Sequence, residues 1–114
     1  MAKNSNSICP VDGALALIGG KWKPLVLYRL SGGTLRFSQL QRAIPEVTQR
    51  MLTQQLRELE RDGLVLRTVY PQVPPRVEYT LTTPAVKLGP LLASLGDWYD
   101  EHAGRLRAMR KKAA

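Results

Sequence analysis

Apolar residues recur along this chain at two different periods, and glycines and prolines mark where one period gives way to the next. Over residues 10–18, Val11, Leu15 and Ile18 fall at helical spacing behind Pro10, whose fixed φ suits a first helical position, and Gly19-Gly20 ends the run. Residues 21–31 predict a second helix with Trp22, Leu25, Val26 and Leu30 on its apolar side; Pro24 is tolerated in the first turn, and Ser31-Gly32-Gly33 stops it. A shorter helix is expected over 38–44, with Ser38 and Gln41 as a capping box, Phe37 ahead of the cap, Leu40 and Ile44 turned inward and Pro45 as the stop. The clearest helix lies at 48–62: Thr48 is a natural N-cap, Leu52, Leu56 and Leu59 form one stripe, and Gly63 closes the end. The period then shortens to two. Residues 64–70 are rich in branched and aromatic side chains, and Val77, Tyr79 and Leu81 alternate with polar neighbours, so the two segments read as strands of a hairpin. Their connection, 71–76, holds Pro71, Pro74 and Pro75 and should project as a stiff tip. Thr83-Pro84 reads as the cap and first residue of a last helix, which Gly89-Pro90 kinks or interrupts. Beyond it Leu91, Leu95, Trp98 and His102 share one side, with Leu92, Tyr99 and Leu106 beside them, and the basic stretch 105–112 is expected to fray.

The predicted fold class is therefore mainly α with a small β-hairpin, in the order α-α-α-α-β-β-α. A tight helix–turn–helix running straight into a two-stranded ribbon is the outline of a winged helix-turn-helix. Its 114 residues suit one domain, placed at 8–107, with 1–7 and 108–114 as flexible tails. No apolar run approaches the roughly 18 residues that span a bilayer, and residues 1–7 are polar without a signal-like core, so a cytoplasmic protein without a membrane partner is expected. The single cysteine, Cys9, excludes an internal disulfide framework and any zinc site built on several thiolates.

Charge narrows the function. The formal net charge is +8, and a compact domain this basic attracts polyanions because neutralised phosphates release condensed counterions. Nucleic acid, an anionic membrane or an acidic protein partner would all answer to that number. The 48–62 helix separates them. Opposite its leucine stripe stand Arg50, Thr53, Gln54, Arg57 and Arg61, with Gln49 at the edge. Arginine can fork onto guanine, glutamine can pair with adenine, and threonine can touch a thymine methyl. In helix-turn-helix docking the N-terminal half of the second helix reaches the bases, so Thr48, Gln49, Arg50, Thr53 and Gln54 are the base-reading candidates, with Arg57 and Arg61 meeting phosphate or solvent. A merely solvated helix face is the alternative. It would carry acids near the N-terminus, where the helix dipole favours them, whereas Glu58 and Glu60 come only later. Arg36, Ser38, Gln39 and Arg42 around the preceding helix, and Arg67 and Arg76 flanking the hairpin, would position the duplex rather than read it.

Enzymatic chemistry finds no support. No nucleophile, base and orienting group are set out together; Gly19-Gly20 and Gly32-Gly33 are helix stops rather than phosphate cradles; Asp97, Asp100 and Glu101 form a solvated face. His102, the one histidine, belongs to packing or an interface. No enzyme activity, cofactor or metal is implied. A basic module binding RNA or a protein partner stays open beside the DNA reading.

These motifs resemble the HxlR-type family of winged helix-turn-helix transcription regulators, relatives of the MarR-like group. The likeness rests on Cys9-Pro10-Val11, Leu17-Ile18-Gly19-Gly20-Lys21-Trp22, Arg36-Phe37-Ser38-Gln39-Leu40, Gln49-Arg50-Met51-Leu52-Thr53-Gln54-Gln55-Leu56-Arg57-Glu58-Leu59, Asp62-Gly63-Leu64-Val65 and Tyr70-Pro71-Gln72-Val73-Pro74-Pro75-Arg76-Val77-Glu78-Tyr79. It departs at residues 83–87, where the family more usually opens a helix with acidic residues and glycine. The resemblance implies a homodimer, more often a repressor, on a palindromic double-stranded operator, with the first and last helices as dimer contacts. The apolar groups Val11, Leu15, Ile18, Leu92, Leu95, Trp98 and Tyr99 agree, being more than a small wing domain can cover. It also makes Cys9 a candidate redox or electrophile sensor, since some members use a cysteine there in that way; a helix N-terminus favours the thiolate. A partly buried structural thiol is the other reading of Cys9, and a small-molecule effector in a dimer cleft near Trp22, Trp98 and Tyr99 is the other input.

Overall fold

The structure is a computed structural model describing residues 9–113. Its elements are α1 (Pro10–Ile18), α2 (Lys23–Leu30), β1 (Leu35–Arg36), α3 (Phe37–Ala43), α4 (Gln49–Arg61), β2 (Val65–Tyr70), β3 (Arg76–Leu81), α5 (Thr83–Val86) and α6 (Leu88–Ala113). The predicted class holds: a mostly helical chain with a small antiparallel sheet, in which α3 and α4 form the helix–turn–helix and β2–β3 the wing.

The sheet has three strands rather than two. β1 adds to the inner edge of β3, giving the order β1-β3-β2, with Leu35 opposite Tyr79 and Arg36 opposite Glu78. Two residues are too short to show any alternation, so a strand of this length leaves no period to read. β2 and β3 pair over their full length, from Val65 opposite Leu81 to Tyr70 opposite Arg76.

One core joins these elements. Val26, Leu27 and Leu30 of α2, Leu40 of α3, Ile44 and Val47 of the turn, Leu52, Leu56 and Leu59 of α4, and Leu64, Val65 and Tyr79 of the wing base are all buried together. Among the described residues no polar or charged residue is buried with them. The α3–α4 turn is tied by Gln41, whose Nε2 donates to the Val47 carbonyl at 2.5 Å. That contact corrects the expected cap: Gln41 does not box with Ser38. Gln39 does the capping, its Oε1 accepting from the Arg36 backbone N–H at 2.8 Å, so the helix starts at Phe37 and Ser38 lies inside its first turn.

The wing is locked at its base. Gly63 takes the positive φ of 82° that ends α4, and Thr82 Oγ1 donates to the Gly63 carbonyl at 2.7 Å. Thr82, rather than Thr83, is the N-cap position of α5, with its hydroxyl already engaged by this contact. The helical interruption falls at Lys87, before Gly89-Pro90, because proline within the first turn of α6 removes a backbone N–H that has no helical partner anyway. Gly89 has another reason: a Cβ there would lie 3.0 Å from Ser31 Cβ, where α6 crosses the end of α2. The segment 105–112, expected to fray, is helical through Ala113, built from arginine, leucine, alanine, methionine and lysine, all strong helix formers.

Candidate DNA interface

α4 sits on the core through three leucines and presents the rest of its surface outward. Leu52 and Leu59 are fully buried and Leu56 nearly so. Thr48 caps the helix, its Oγ1 accepting from the Met51 N–H at 3.0 Å, and no acid stands in the first turn. Uncapped N–H groups and the positive end of the helix dipole therefore face solvent without a carboxylate to answer them. Thr48, Gln49, Arg50, Thr53, Gln54 and Arg57 line one shallow open concavity. All five expected base-reading residues are thus brought together, with Arg57 completing the surface.

Their side chains differ in freedom. Among the described residues, Arg50 and Arg57 make no salt bridge. Thr53 Oγ1 donates to the Gln49 carbonyl at 2.8 Å. Gln54 is held by Glu58, and Glu58 by Lys23, at 2.6 and 2.5 Å. Those contacts hold the Glu58 carboxyl below the usual carboxylate range, the Lys23 hydrogen bond first and the Gln54 hydrogen bond second. Arg61 is engaged by Asp62 at 3.2 Å, which raises the guanidinium further above its already high range.

The positioning candidates spread over three places. Arg36, Ser38 and Gln39 are exposed at the start of α3, with the Gln39 carbonyl oxygen already occupied by its cap. Arg76, at the root of the wing tip, stacks 4.0 Å from the Tyr70 ring and pairs with Glu78 at 3.4 Å, so its charge is partly answered within the wing. Arg67 is the better-placed wing cation. It stands on the same sheet face as Val65 and Val69, directly opposite Tyr79, and lines a cleft of about 290 Å³ between α4 and the sheet with Thr53, Leu56, Arg57, Glu60 and Tyr79. A charged residue between two valines of one alternating row, exposed on the sheet face beside α4, is the signal that marks it.

The other expected faces are also resolved. Cys9 is exposed at the N-cap of α1, its carbonyl accepting from the Gly13 N–H. No residue of α1 is buried; Val11 and Leu15 are 64% and 57% exposed. On α6, Leu95, Trp98 and Tyr99 are more than half exposed, and Leu91, Leu106 and Met109 extend the same apolar surface along the helix. Ile18 and Leu92 differ from these, since both pack partly on the chain's own core. His102 lies against Trp98, ring centroids 5.5 Å apart. Among the described residues no helix is long and apolar enough to cross a membrane.

A family model for the HxlR-like helix-turn-helix matches residues 17–107. The chain belongs to the HxlR family. Among HxlR relatives, it is 50% identical over 106 residues to the HTH-type transcriptional regulator YdeP of Bacillus subtilis, covering 90% of this chain and 83% of YdeP. It is 56% identical over 91 residues to an HTH-type transcriptional regulator of Methanothermobacter thermautotrophicus, covering 80% and 70%. The redox regulator HypR in its reduced form superposes with a TM-score of 0.83 at 46% identity, covering 88% of this chain and 99% of HypR; its oxidised form gives 0.76 at 49%, covering 82% and 96%. The HxlR match spans every residue of the concavity on α4 and of the wing.

Proposed function

We propose that this HxlR protein is a transcriptional regulator, a homodimer that reads a near-palindromic double-stranded operator with α4 in the major groove and represses the genes it covers. The observation that carries the reading is the outward face of α4: six residues able to contact bases or phosphate on one open surface, cationic at an acid-free helix start, over a fully buried leucine stripe. Arg67 and Arg57 in the adjoining cleft hold the backbone between the groove that α4 enters and the wing. The exposed apolar surfaces of α1 and α6 supply the two-fold contact, setting the two α4 helices about 34–36 Å apart, one turn of B-DNA. Repression is what membership of the family implies, and a cytoplasmic site of action follows from the DNA role.

Cys9 is the signal input in this reading. It is exposed at the start of a helix that belongs to the proposed dimer face, and HypR, a redox regulator, shares this fold in both of its redox forms. An oxidant that converts Cys9 to a sulfenic acid, condensing with a thiol to a disulfide, changes that face at its edge. Cys9→Ser should abolish release of DNA by hydrogen peroxide; the same release in both proteins would move the input to an effector near Trp22, Trp98 and Tyr99.

The direct test measures affinity for the native upstream fragment, a random duplex and a structured RNA at matched salt. A preference of roughly a thousandfold or more for the native fragment is expected. A flat, salt-controlled response across all three would replace the regulator with a general polyanion-binding module.

A further inference from the structure

Among the described residues, Gln54 is the one base-reading candidate on α4 whose side-chain amide is held by another side chain, and the group holding it reaches across the fold. Glu58 lies one turn further along α4, at the i+4 spacing that brings side chains together. Its Oε2 accepts from Gln54 Nε2 at 2.6 Å and its Oε1 accepts from Lys23 Nζ at 2.5 Å. Lys23 is the first residue of α2, and its side chain is only 14% exposed, against 25% for Glu58. Both carboxylate oxygens are therefore engaged, one of them by a half-buried cation fixed on a different helix.

The chemistry of the pair settles which way the amide faces. An ionised carboxylate accepts hydrogen bonds and donates none, so Gln54 must turn its NH₂ toward Glu58. The amide is planar, so its carbonyl oxygen is then directed to the other side. A free glutamine can flip and offer either end. In the major groove adenine N6 and cytosine N4 are donors, whereas guanine O6 and thymine O4 are acceptors.

We propose that Glu58, anchored by Lys23, is a positioning residue for specificity: it fixes the Gln54 amide so that its oxygen leads, and Gln54 selects a base edge carrying a donor amino group over one carrying a carbonyl. This rests on the DNA reading above and names the recognition rule of one residue within it. Lys23 ties that rule to α2, the helix against which α6 packs.

Two measurements test it. On duplexes varied at each base pair of the native upstream fragment, the unmutated protein should favour adenine or cytosine over guanine or thymine by about tenfold at one position per half-site. Glu58→Ala should reduce that preference to about twofold while overall affinity changes less, and should have no further effect in a Gln54→Ala background. An unaltered preference in Glu58→Ala, or an equal loss in the Gln54→Ala background, overturns the proposal. The second measurement needs no DNA. The Gln54 side-chain amide protons, followed by NMR in the free protein, should shift as acid protonates Glu58, and the midpoint should rise in Lys23→Met. Amide protons indifferent to both changes overturn it even where the DNA reading stands. Conversely, an unmutated protein that prefers no base removes the DNA reading, and this rule with it, whatever the amide protons do.

Discussion

α4 and α6 are both amphipathic helices, and they leave opposite kinds of surface in water. α4 buries its apolar stripe completely and exposes arginine, glutamine and threonine. α6 buries Gly89 and Ala103, half-covers Leu88 and Leu92, and exposes Leu91, Leu95, Trp98, Tyr99, Leu106 and Met109. A cationic face is stable in solvent and needs no partner to be folded, so its partner can come and go. An apolar row of that length is a patch a monomer rarely leaves open, which is why the proposed reading gives it a lasting partner. On the proposed function, the difference separates a surface for a reversible ligand from one for a second copy of the chain.

Substitutions on either helix should break the comparison in different observables. The largest effect belongs beneath the reading face: Leu52→Ala, at a fully buried position, should lower unfolding free energy by about 2–5 kcal/mol in urea titrations. Leu95→Glu on α6 should leave a folded monomer in sedimentation, with operator affinity falling on the order of 100-fold as two linked half-sites become independent. Arg50→Ala should cost about 1–3 kcal/mol of specific binding in titrations of the native fragment. Its urea midpoint should hold, since an exposed side chain typically changes stability by no more than about 0.5 kcal/mol. Arg67→Ala should weaken native and random duplexes alike and reduce the slope of log affinity against log salt by about one. The smallest effect is one of pH. Folding lowers the Glu58 pKa, so its contribution to stability is complete above the ordinary carboxylate range and is lost as pH falls through the lowered folded value. The difference in urea midpoint between the unmutated protein and Glu58→Gln should accordingly shrink in acid. A difference that grows there would contradict the Lys23 pairing.

α4 was legible because its signals are local. Thr48, the leucine stripe and Gly63 lie within one continuous segment, and each does in the structure what its position predicts. What escaped depends on partners distant in the chain. β1 exists only because Leu35 meets Tyr79. Gln41 left Ser38 for the Val47 carbonyl, and Thr82 gave its hydroxyl to Gly63, neither of which a helix-start pattern contains. Arg67 read as one of two cations flanking a hairpin; its place opposite Tyr79 and its cleft with Arg57 appear only when the sheet is laid against α4. Glu58 read as an acid arriving late on the helix, and its place between Gln54 and Lys23 needs α2 brought alongside. Arg76 shows the converse, a cation that local reading left available and that Tyr70 and Glu78 partly occupy.

A nine-residue helix with nothing buried has a thermodynamic consequence of its own. α1 is shorter than the roughly 12–15 residues at which even alanine-rich helices become marginally stable alone. In the proposed dimer its coil-to-helix equilibrium is set by the surface that covers it, and ordering of the N-terminal turns and association become a single concentration-dependent event. Far-ultraviolet circular dichroism per residue should deepen on concentrating the protein, and Cys9, at the head of that segment, would be most open to reagents when the protein is dilute.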